Sequence, residues 1–356
     1  MEILAFESWD SGSHQAFRTS LTKCSRHQWQ WLTLPRGHWR IRLRLSAIEL
    51  AKKHQGEKPD VIFATSLLSL SDLIALLPGS LADIPRVLYM HEHQGAYPHA
   101  EGREEPRDAH ALVTNLMSIL AADCVLWNSA WAKESFLEAV KPLIRMAHIP
   151  KDALGQIESR SHIAWPPVEV PMRGSPEILH KAEAAKDRGL TLVAWPHRWE
   201  HDKGPMELLD IDRTYGQKHH LGWVLLGEQF QEIPEEMNKL LAEAGDRVIH
   251  HGWAERNEYE TWLHACDWVL STATHEYFGM GVVEAMLAGC LPWLPDRLSY
   301  PELVPTEDQG ITPWRKPPDK AMALSRIKTH LRAATAMEAS AHIDSLIYKT
   351  TRQNRP

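Results

Sequence analysis

Two glutamates, Glu276 and Glu284, stand in the stretch Ser271–Glu284 with seven residues between them. Before them, Asp267–Ser271 reads as a short buried strand. After them a helix runs through Ala288 and is closed by Gly289, and Cys290–Leu294 reads as the next strand. In an open parallel sheet, ligands bind where the carboxyl ends of strands meet helix N-termini. The unpaired N–H groups of a helix start and the positive end of its dipole suit a phosphate. Gly279 and Gly281, either side of Met280, let that backbone approach a ligand closely. Glu276 in the loop and Glu284 about one turn into the helix can then grip different ends of one elongated ligand. A capped helix carrying two solvated acids satisfies the same spacing.

Other groups join this one. Arg198 and Lys203 lie five residues apart in Trp195-Pro-His-Arg-Trp-Glu-His-Asp-Lys-Gly204, a loop leaving a strand and entering a helix. A planar fork and a point charge suit two neighbouring phosphates. The one Asp-x-Asp, Asp210-Ile-Asp212, falls on a helix away from strand ends and reads as helix surface rather than as a metal site. Arg36, Arg40 and Arg44 share one helical face with Trp39 beside them, a basic-aromatic cluster suited to phosphate backbones and stacked bases, or simply a solvated basic face. His91, in His91-Glu-His-Gln94, ends an apolar strand, where a histidine is placed for a site or for a structural hydrogen bond. The turn Glu7–Ser13 has one glycine, Gly12, then Ser13 and His14; it is neither a P-loop nor Gly-x-Gly-x-x-Gly. Glu276 and His91 are the candidate catalytic residues.

These positions need a scaffold of strand ends. Apolar strands fall at Glu2–Phe6, Gln28–Leu34, Asp60–Thr65, Arg86–His91, Asp123–Trp127 and Ser161–Trp165, and again at Thr191–Trp195, Gly222–Leu226, Arg247–His251, Asp267–Ser271 and Cys290–Leu294. Helical stretches alternate with them, and Ser129 is placed to cap one at Ala130–Val140. The alternation implies two α/β domains with parallel sheets. An N-terminal domain over 1–168, a linker over 169–189, a second domain over 190–320 and a C-terminal helix with a basic tail over 321–356 follow from the pattern. In the segment after Arg36, Ile41, Leu45 and Ile48 recur at helical spacing, so it is read as a helix.

Composition narrows the field. With 356 residues, 44% hydrophobic and 24% charged, the chain suits two globular domains. A net charge of −7 advertises no global attraction to nucleic acid, though local basic patches are compatible with it. Four scattered cysteines, Cys24, Cys124, Cys266 and Cys290, read as reduced thiols rather than a metal or disulfide set, which fits a cytoplasmic protein. Met1–Trp9 lacks a signal peptide's basic start, and no apolar run reaches the roughly 18 residues of a membrane span.

Arg-x4-Lys-Gly and Glu-x7-Glu on two Rossmann-like domains resemble the retaining glycosyltransferases of GT-B fold, family 4. The blocks Gly12-Ser-His14, Leu34-Pro-Arg-Gly-His-Trp-Arg40, His91-Glu-His-Gln94, Trp195–Lys203, Ser271–Glu276 and Asp296-Arg-Leu-Ser-Tyr-Pro-Glu302 are similar to the branch of that family that mannosylates queuosine in tRNA. Two departures lie in the first domain: Trp9-Asp-Ser-Gly-Ser13 where the branch has Tyr-Gly-Gly-Ser, and His93 in place of Asn.

The resemblance implies two sheet domains facing across a cleft, the second holding the donor. Arg198 and Lys203, with the Gly279-Met280-Gly281 backbone, would hold the donor diphosphate, Glu276 the hexose and Glu284 the ribose. The acceptor side would include Gly12, Ser13, His14, Arg36, Trp39, Arg40 and Arg44. The reaction implied is transfer of mannose from GDP-mannose to queuosine in a tRNA anticodon with retention, by front-face attack with the departing phosphate as base, without a metal cofactor. Two alternatives stay open: a family 4 enzyme acting on a lipid, glycan or small metabolite, and a non-catalytic tRNA- or nucleotide-binding protein.

Overall fold

The computed structural model of the chain describes residues 1–56, 58–95, 109–148, 152–229 and 233–353. It divides into two compact units, Met1–Val168 with Ala334–Pro356, and Glu169–Ala333.

In the first unit, β1 (Glu2–Glu7), α1 (Gly12–Cys24), β2 (Gln28–Thr33), α2 (Trp39–Lys53), β3 (Val61–Thr65), α3 (Leu70–Leu76) and β4 (Arg86–Met90) come first. They are followed by α4 (Ala109–Ala121), β5 (Cys124–Trp127), α5 (Ala130–Met146), α6 (Asp152–Ser159) and β6 (Ser161–Ile163). The strands form one parallel sheet in the order β2-β1-β3-β4-β5-β6. The inner strands β1, β3, β4 and β5 are nearly continuous apolar runs because helices cover both faces of such a sheet, whereas the edge strands β2 and β6 are partly polar. Ile3, Phe17, Phe63, Tyr89 and Leu126 are among the side chains of that core. Ser129 caps α5, its Oγ accepting the Ala132 N–H at 3.0 Å. The helix runs past Val140, through Pro142, to Met146.

In the second unit lie α7 (Pro176–Asp187), β7 (Thr191–Trp195), α8 (Pro205–Ile211), β8 (Leu221–Leu226), α9 (Glu235–Ala244), β9 (Val248–Gly252) and α10 (Arg256–Ala265). The chain goes on through β10 (Trp268–Leu270), α11 (Met280–Ala288), β11 (Leu291–Trp293), α12 (Tyr300–Leu303) and α13 (Lys320–Leu331). Its parallel sheet runs β11-β10-β7-β8-β9. Lys203 and Gly204 therefore leave β7 next to β10, the strand that leads into the Glu276 loop.

The domain limits read from sequence are displaced at two places. The 169–189 stretch holds α7, whose Ile178, Ala182 and Ala185 are buried; helix α7 packs on α10 within the second unit, so the stretch is more than a linker. The Ala-rich stretch from 321 is two helices. Helix α13 stays with the second unit, and α14 (Ala336–Gln353) returns to the first, packing on α1 with Ile343 and Ile347 in the core. A short 3₁₀ turn, Arg332–Ala334, separates the two.

Helix α2 forms where expected but turns a different face inward. Leu43, Ser46, Ala47 and Leu50 are buried, whereas Ile41, Leu45 and Ile48 are about half exposed at 54%, 52% and 47%. No helix of the described residues is long and apolar enough to cross a membrane.

Candidate active site

Lys203 is the fixed point of the second unit's site. It ends the 3₁₀ turn His201–Lys203 that follows β7, and only 7% of it is exposed. A buried ammonium must be paired. Its Nζ lies 3.0 Å from Asp202 Oδ2, donates to the His275 carbonyl at 2.9 Å and reaches Glu276 Oε2 at 3.4 Å. Burial works against the cation, but Glu276 and Asp202 outweigh it and raise its pKa, so Lys203 stays charged. The backbone is tied to match. The Asp202 carbonyl accepts the N–H groups of Thr274 and His275, and the Lys203 carbonyl accepts Thr272 Oγ1 at 2.7 Å.

Glu276 carries the opposite electrostatics. Burial would raise its pKa, yet Lys203 holds it down at about 2, so it is ionised at any working pH. Its Oε1 accepts the Tyr277 N–H at 3.1 Å. His197, behind it, shares a 2.9 Å hydrogen bond between Nε2 and Ser271 Oγ, and Ser271 Oγ is 2.6 Å from Tyr300 OH. Burial and the neighbouring Lys203 push His197 down to about 3 and His275 to about 4; both are neutral.

Helix α11 starts at Met280 after Gly279, whose φ of +90° is left-handed and whose missing side chain leaves the first turn uncapped. Gly281 lies against β7's exit: a Cβ there would meet the Pro196 carbonyl at 3.1 Å. Glu284 is buried, and both its oxygens are engaged, Oε1 by Arg256 Nη1 at 2.7 Å and Oε2 by Tyr259 OH at 2.9 Å. Burial raises its pKa despite these partners.

Arg198 departs from the expected arrangement. It is half exposed and pairs with Glu200 at 2.9 Å, not with the Lys203–Glu276 group. Asp212 departs too. It is buried, bonded by Arg247 and accepting Trp223 Nε1 at 2.7 Å, so it braces the unit instead of decorating a helix surface; Asp210 is exposed.

In the first unit, Gly12 opens α1 at φ +54° and Ser13 is exposed. His14 is buried, with Nδ1 3.1 Å from Glu7 Oε2. Its ring faces that of His91 at 4.1 Å between centroids. His91 sits just past β4, its N–H donating to Ser66 Oγ at 3.2 Å and its carbonyl accepting Asn128 Nδ2 at 2.7 Å. Glu7, His14 and His91 are, among the described residues, the one group whose ligand-type atoms gather within 4.8 Å. Glu7 and His14 pair with each other there, and the His91 ring lies tilted against that of His14. His93, the departure from the branch pattern, is structural: it bonds Ser135 Oγ at 3.0 Å and accepts the Gly95 N–H at 3.1 Å. Arg36 lies before α2 and not on the helical face expected of it; Arg40 and Arg44 are on α2, all three are exposed, and the Arg40 guanidinium lies 4.8 Å from the Trp39 ring centroid.

Sequence reasoning missed Glu7, Asp202, Arg256 and Tyr259. Glu7 and Asp202 were visible only as acids at strand exits. Arg256 lies in a charged run that reads as a solvated helix start.

Two parallel-sheet units, with Lys203 and Glu276 paired beyond the strand ends of the second, define a glycosyltransferase of GT-B fold. Residues 177–331 match the family described as glycosyl transferases group 1. The Anabaena Alr3699/HepE structure in complex with UDP is similar over 99% of this chain and 98% of that one, with 18% identity and TM-score 0.63. The catalytic domain of Arabidopsis thaliana starch synthase IV bound to ADP and acarbose covers 99% of each, with 13% identity and TM-score 0.63.

The chain belongs to the tRNA-queuosine alpha-mannosyltransferase family. Residues 2–168 match that family's N-terminal region. The Drosophila melanogaster tRNA-queuosine alpha-mannosyltransferase is 36% identical over 318 residues, 86% of this chain and 82% of that protein. A Xanthomonas oryzae GDP-mannose:cellobiosyl-diphosphopolyprenol alpha-mannosyltransferase is 25% identical over 136 residues, 37% of this chain and 35% of that protein.

Proposed function

We propose that the chain transfers mannose from GDP-mannose to the queuosine nucleoside of a tRNA anticodon with retention of configuration. The observation that carries the donor side is the buried, charged Lys203 held against Glu276 beside the uncapped start of α11. A departing diphosphate gains charge as the glycosidic bond breaks. A preorganised cation and free N–H groups stabilise that charge without a metal. In this reading Lys203, Arg198 and the Gly279-Met280-Gly281 backbone take the diphosphate, Arg198 leaving Glu200 to do so. Glu276 takes the sugar and Glu284 the ribose. The names of the Drosophila and Xanthomonas relatives support the acceptor and the donor, respectively. Attack comes from the face that the diphosphate leaves. Exposed Arg36, Trp39, Arg40 and Arg44 suit a tRNA backbone.

One observation favours a competing acceptor. The half-exposed Ile41, Leu45 and Ile48 lie along α2 beside these arginines, a pattern that also suits an anionic lipid surface. Incubation with labelled GDP-mannose separates the two readings. Label is expected in queuosine-containing tRNA and not in queuosine-free tRNA or a polyprenyl-diphosphate glycan. Equal label in both tRNAs, or in neither, sinks the tRNA reading.

A further inference from the structure

His197 lies just past the end of β7, next to Arg198, and is buried. Its ring meets that of Trp195 at 72°, with 5.2 Å between centroids. Lys203, Glu276 and Arg198, the charged groups that the donor reading uses, all act on it, and burial together with Lys203 keeps it neutral. A neutral imidazole has one nitrogen that donates and one that accepts, and the partner of one nitrogen decides the role of the other.

Ser271 makes that decision. Its Oγ has three partners: the Ala273 N–H at 3.2 Å, Tyr300 OH at 2.6 Å and His197 Nε2 at 2.9 Å. A hydroxyl has two lone pairs and one proton to share among them. The Ala273 N–H can only donate, so it takes one lone pair. Tyr300 is buried, and burial, then Glu276, raise its phenol well above the ordinary 10, so it keeps its proton. Among the described residues Ser271 Oγ is the one hydrogen-bond partner of that phenol. Orphaning a buried donor is costly, so the Tyr300 proton goes to Ser271 and takes the second lone pair. The Ser271 proton is left for His197 Nε2. That nitrogen is the acceptor, and the His197 proton sits on Nδ1, which has no hydrogen-bond partner among the described residues.

The relay is built into the donor loop. Ser271 follows β10, and Tyr300 opens α12 with its ring against Gly279, where a Cβ would meet Tyr300 Cε1 at 3.2 Å. One short chain of hydrogen bonds thus joins the exits of β7 and β10 to the residue before α11.

We propose that His197, fixed in its Nδ1–H tautomer by Tyr300 through Ser271, is a donor-binding residue that gives the diphosphate of a nucleotide sugar a neutral hydrogen bond beside Lys203. This rests on the donor reading of the second unit and adds a group to it; Ser271 and Tyr300 are its positioning residues. A neutral donor adds no repulsion to the buried Lys203 cation, and its bond strengthens as the departing diphosphate gains charge.

The test combines GDP binding by calorimetry with nitrogen NMR of the His197 ring, both on the full chain, the resonance being assigned by its absence from His197→Gln. The ring is expected as the Nδ1–H tautomer, unchanged between about pH 6 and about pH 8, and Tyr300→Phe shifts it toward Nε2–H. His197→Gln keeps an acceptor for Ser271 but has no donor where Nδ1 stands. It should weaken GDP binding roughly tenfold or more, by the same factor at both pH values. His197→Asn puts an amide N–H in the place of Nδ1 and recovers most of the loss, although it gives up the Ser271 contact. Thermal melts of both variants accompany the titrations. An Nε2–H tautomer in the unsubstituted protein, or a tautomer indifferent to Tyr300→Phe, overturns the relay. GDP binding unmoved by His197→Gln, equal losses in the Gln and Asn variants, or a loss that grows as pH falls overturns the neutral contact. Failure of the unsubstituted protein to bind GDP overturns the donor reading itself, while the tautomer still decides the relay.

Discussion

Arg256 Nη1 donates to Glu284 Oε1 at 2.7 Å, joining the first turn of α10 to the middle of α11. Glu260 holds the same guanidinium through Nε, so its fork is shared between two carboxylates. Glu284 is buried, and burial raises its pKa even with Arg256 in place. Its charge therefore depends on Arg256. In Arg256→Ala the Glu284 pKa rises further, and the ribose contact proposed for its carboxylate weakens. GDP binding, measured by calorimetry, should fall roughly tenfold, and more at about pH 6 than at about pH 8. Equal weakening at both would show that Arg256 acts by something other than keeping Glu284 ionised.

Acid stability follows from three groups that resist protonation in the folded state. Against burial, Lys203 holds Glu276 at about 2, below its ordinary 4.5. Burial holds His197 at about 3 and His275 at about 4, below 6.5. In each case the unfolded chain binds protons first, so stability is lost as pH falls. The histidines act from about 6.5 downward, and Glu276 adds its share between about 4.5 and about 2. These three groups should make the melting temperature fall with falling pH across that range, with a shallower slope in His197→Gln, while His14, whose pKa is raised, acts in the opposite sense. An acid slope unchanged in His197→Gln would refute this.

What the sequence made legible was the scaffold and the charged motifs. Strands such as Thr191–Trp195 stand out because a buried parallel strand is a continuous apolar run between polar punctuation. Lys203, Glu276 and Glu284 stood out because they sit just past such runs. What stayed hidden depends on packing between distant segments. Glu7 is fully buried only because β2 and β3 flank β1. Arg256 meets Glu284 only because α10 and α11 lie side by side. Ile41, Leu45 and Ile48 keep helical spacing, yet the face that is buried is the other one, Leu43 and Leu50. Nor does an Ala-rich stretch announce that its second half, α14, returns to the first unit.

Gly204 couples β7's exit to the glutamate loop. It is left-handed at φ +68°, and a Cβ there would lie 2.1 Å from the Thr272 carbonyl oxygen. Thr272 is the residue whose hydroxyl bonds the Lys203 carbonyl. Gly204→Ala must therefore displace either Lys203 or the 271–276 loop. A stability loss of about 1–3 kcal/mol is expected, with weaker GDP binding, read by thermal melts and calorimetry on the same sample. An alanine variant that keeps both would mean the loop yields without moving Lys203.

The arginines on and just before α2 make a prediction that separates phosphate contacts from base stacking. Arg36, Arg40 and Arg44 are exposed, and Trp39 is partly so, with the Arg40 guanidinium over its ring. Each arginine that neutralises a tRNA phosphate releases counterions. Removing one should therefore lower the slope of log K against log salt by roughly 0.7–0.9. Trp39→Ala should instead cost about 1–3 kcal/mol of tRNA binding with the salt slope unchanged, because stacking is not an ion-exchange process. Fluorescence anisotropy of labelled queuosine-containing tRNA over a salt series measures both. If Arg40→Ala and Arg44→Ala leave affinity and slope as they were, α2 lies outside the tRNA interface, and its half-exposed Ile41, Leu45 and Ile48 become the stronger guide to what covers that face.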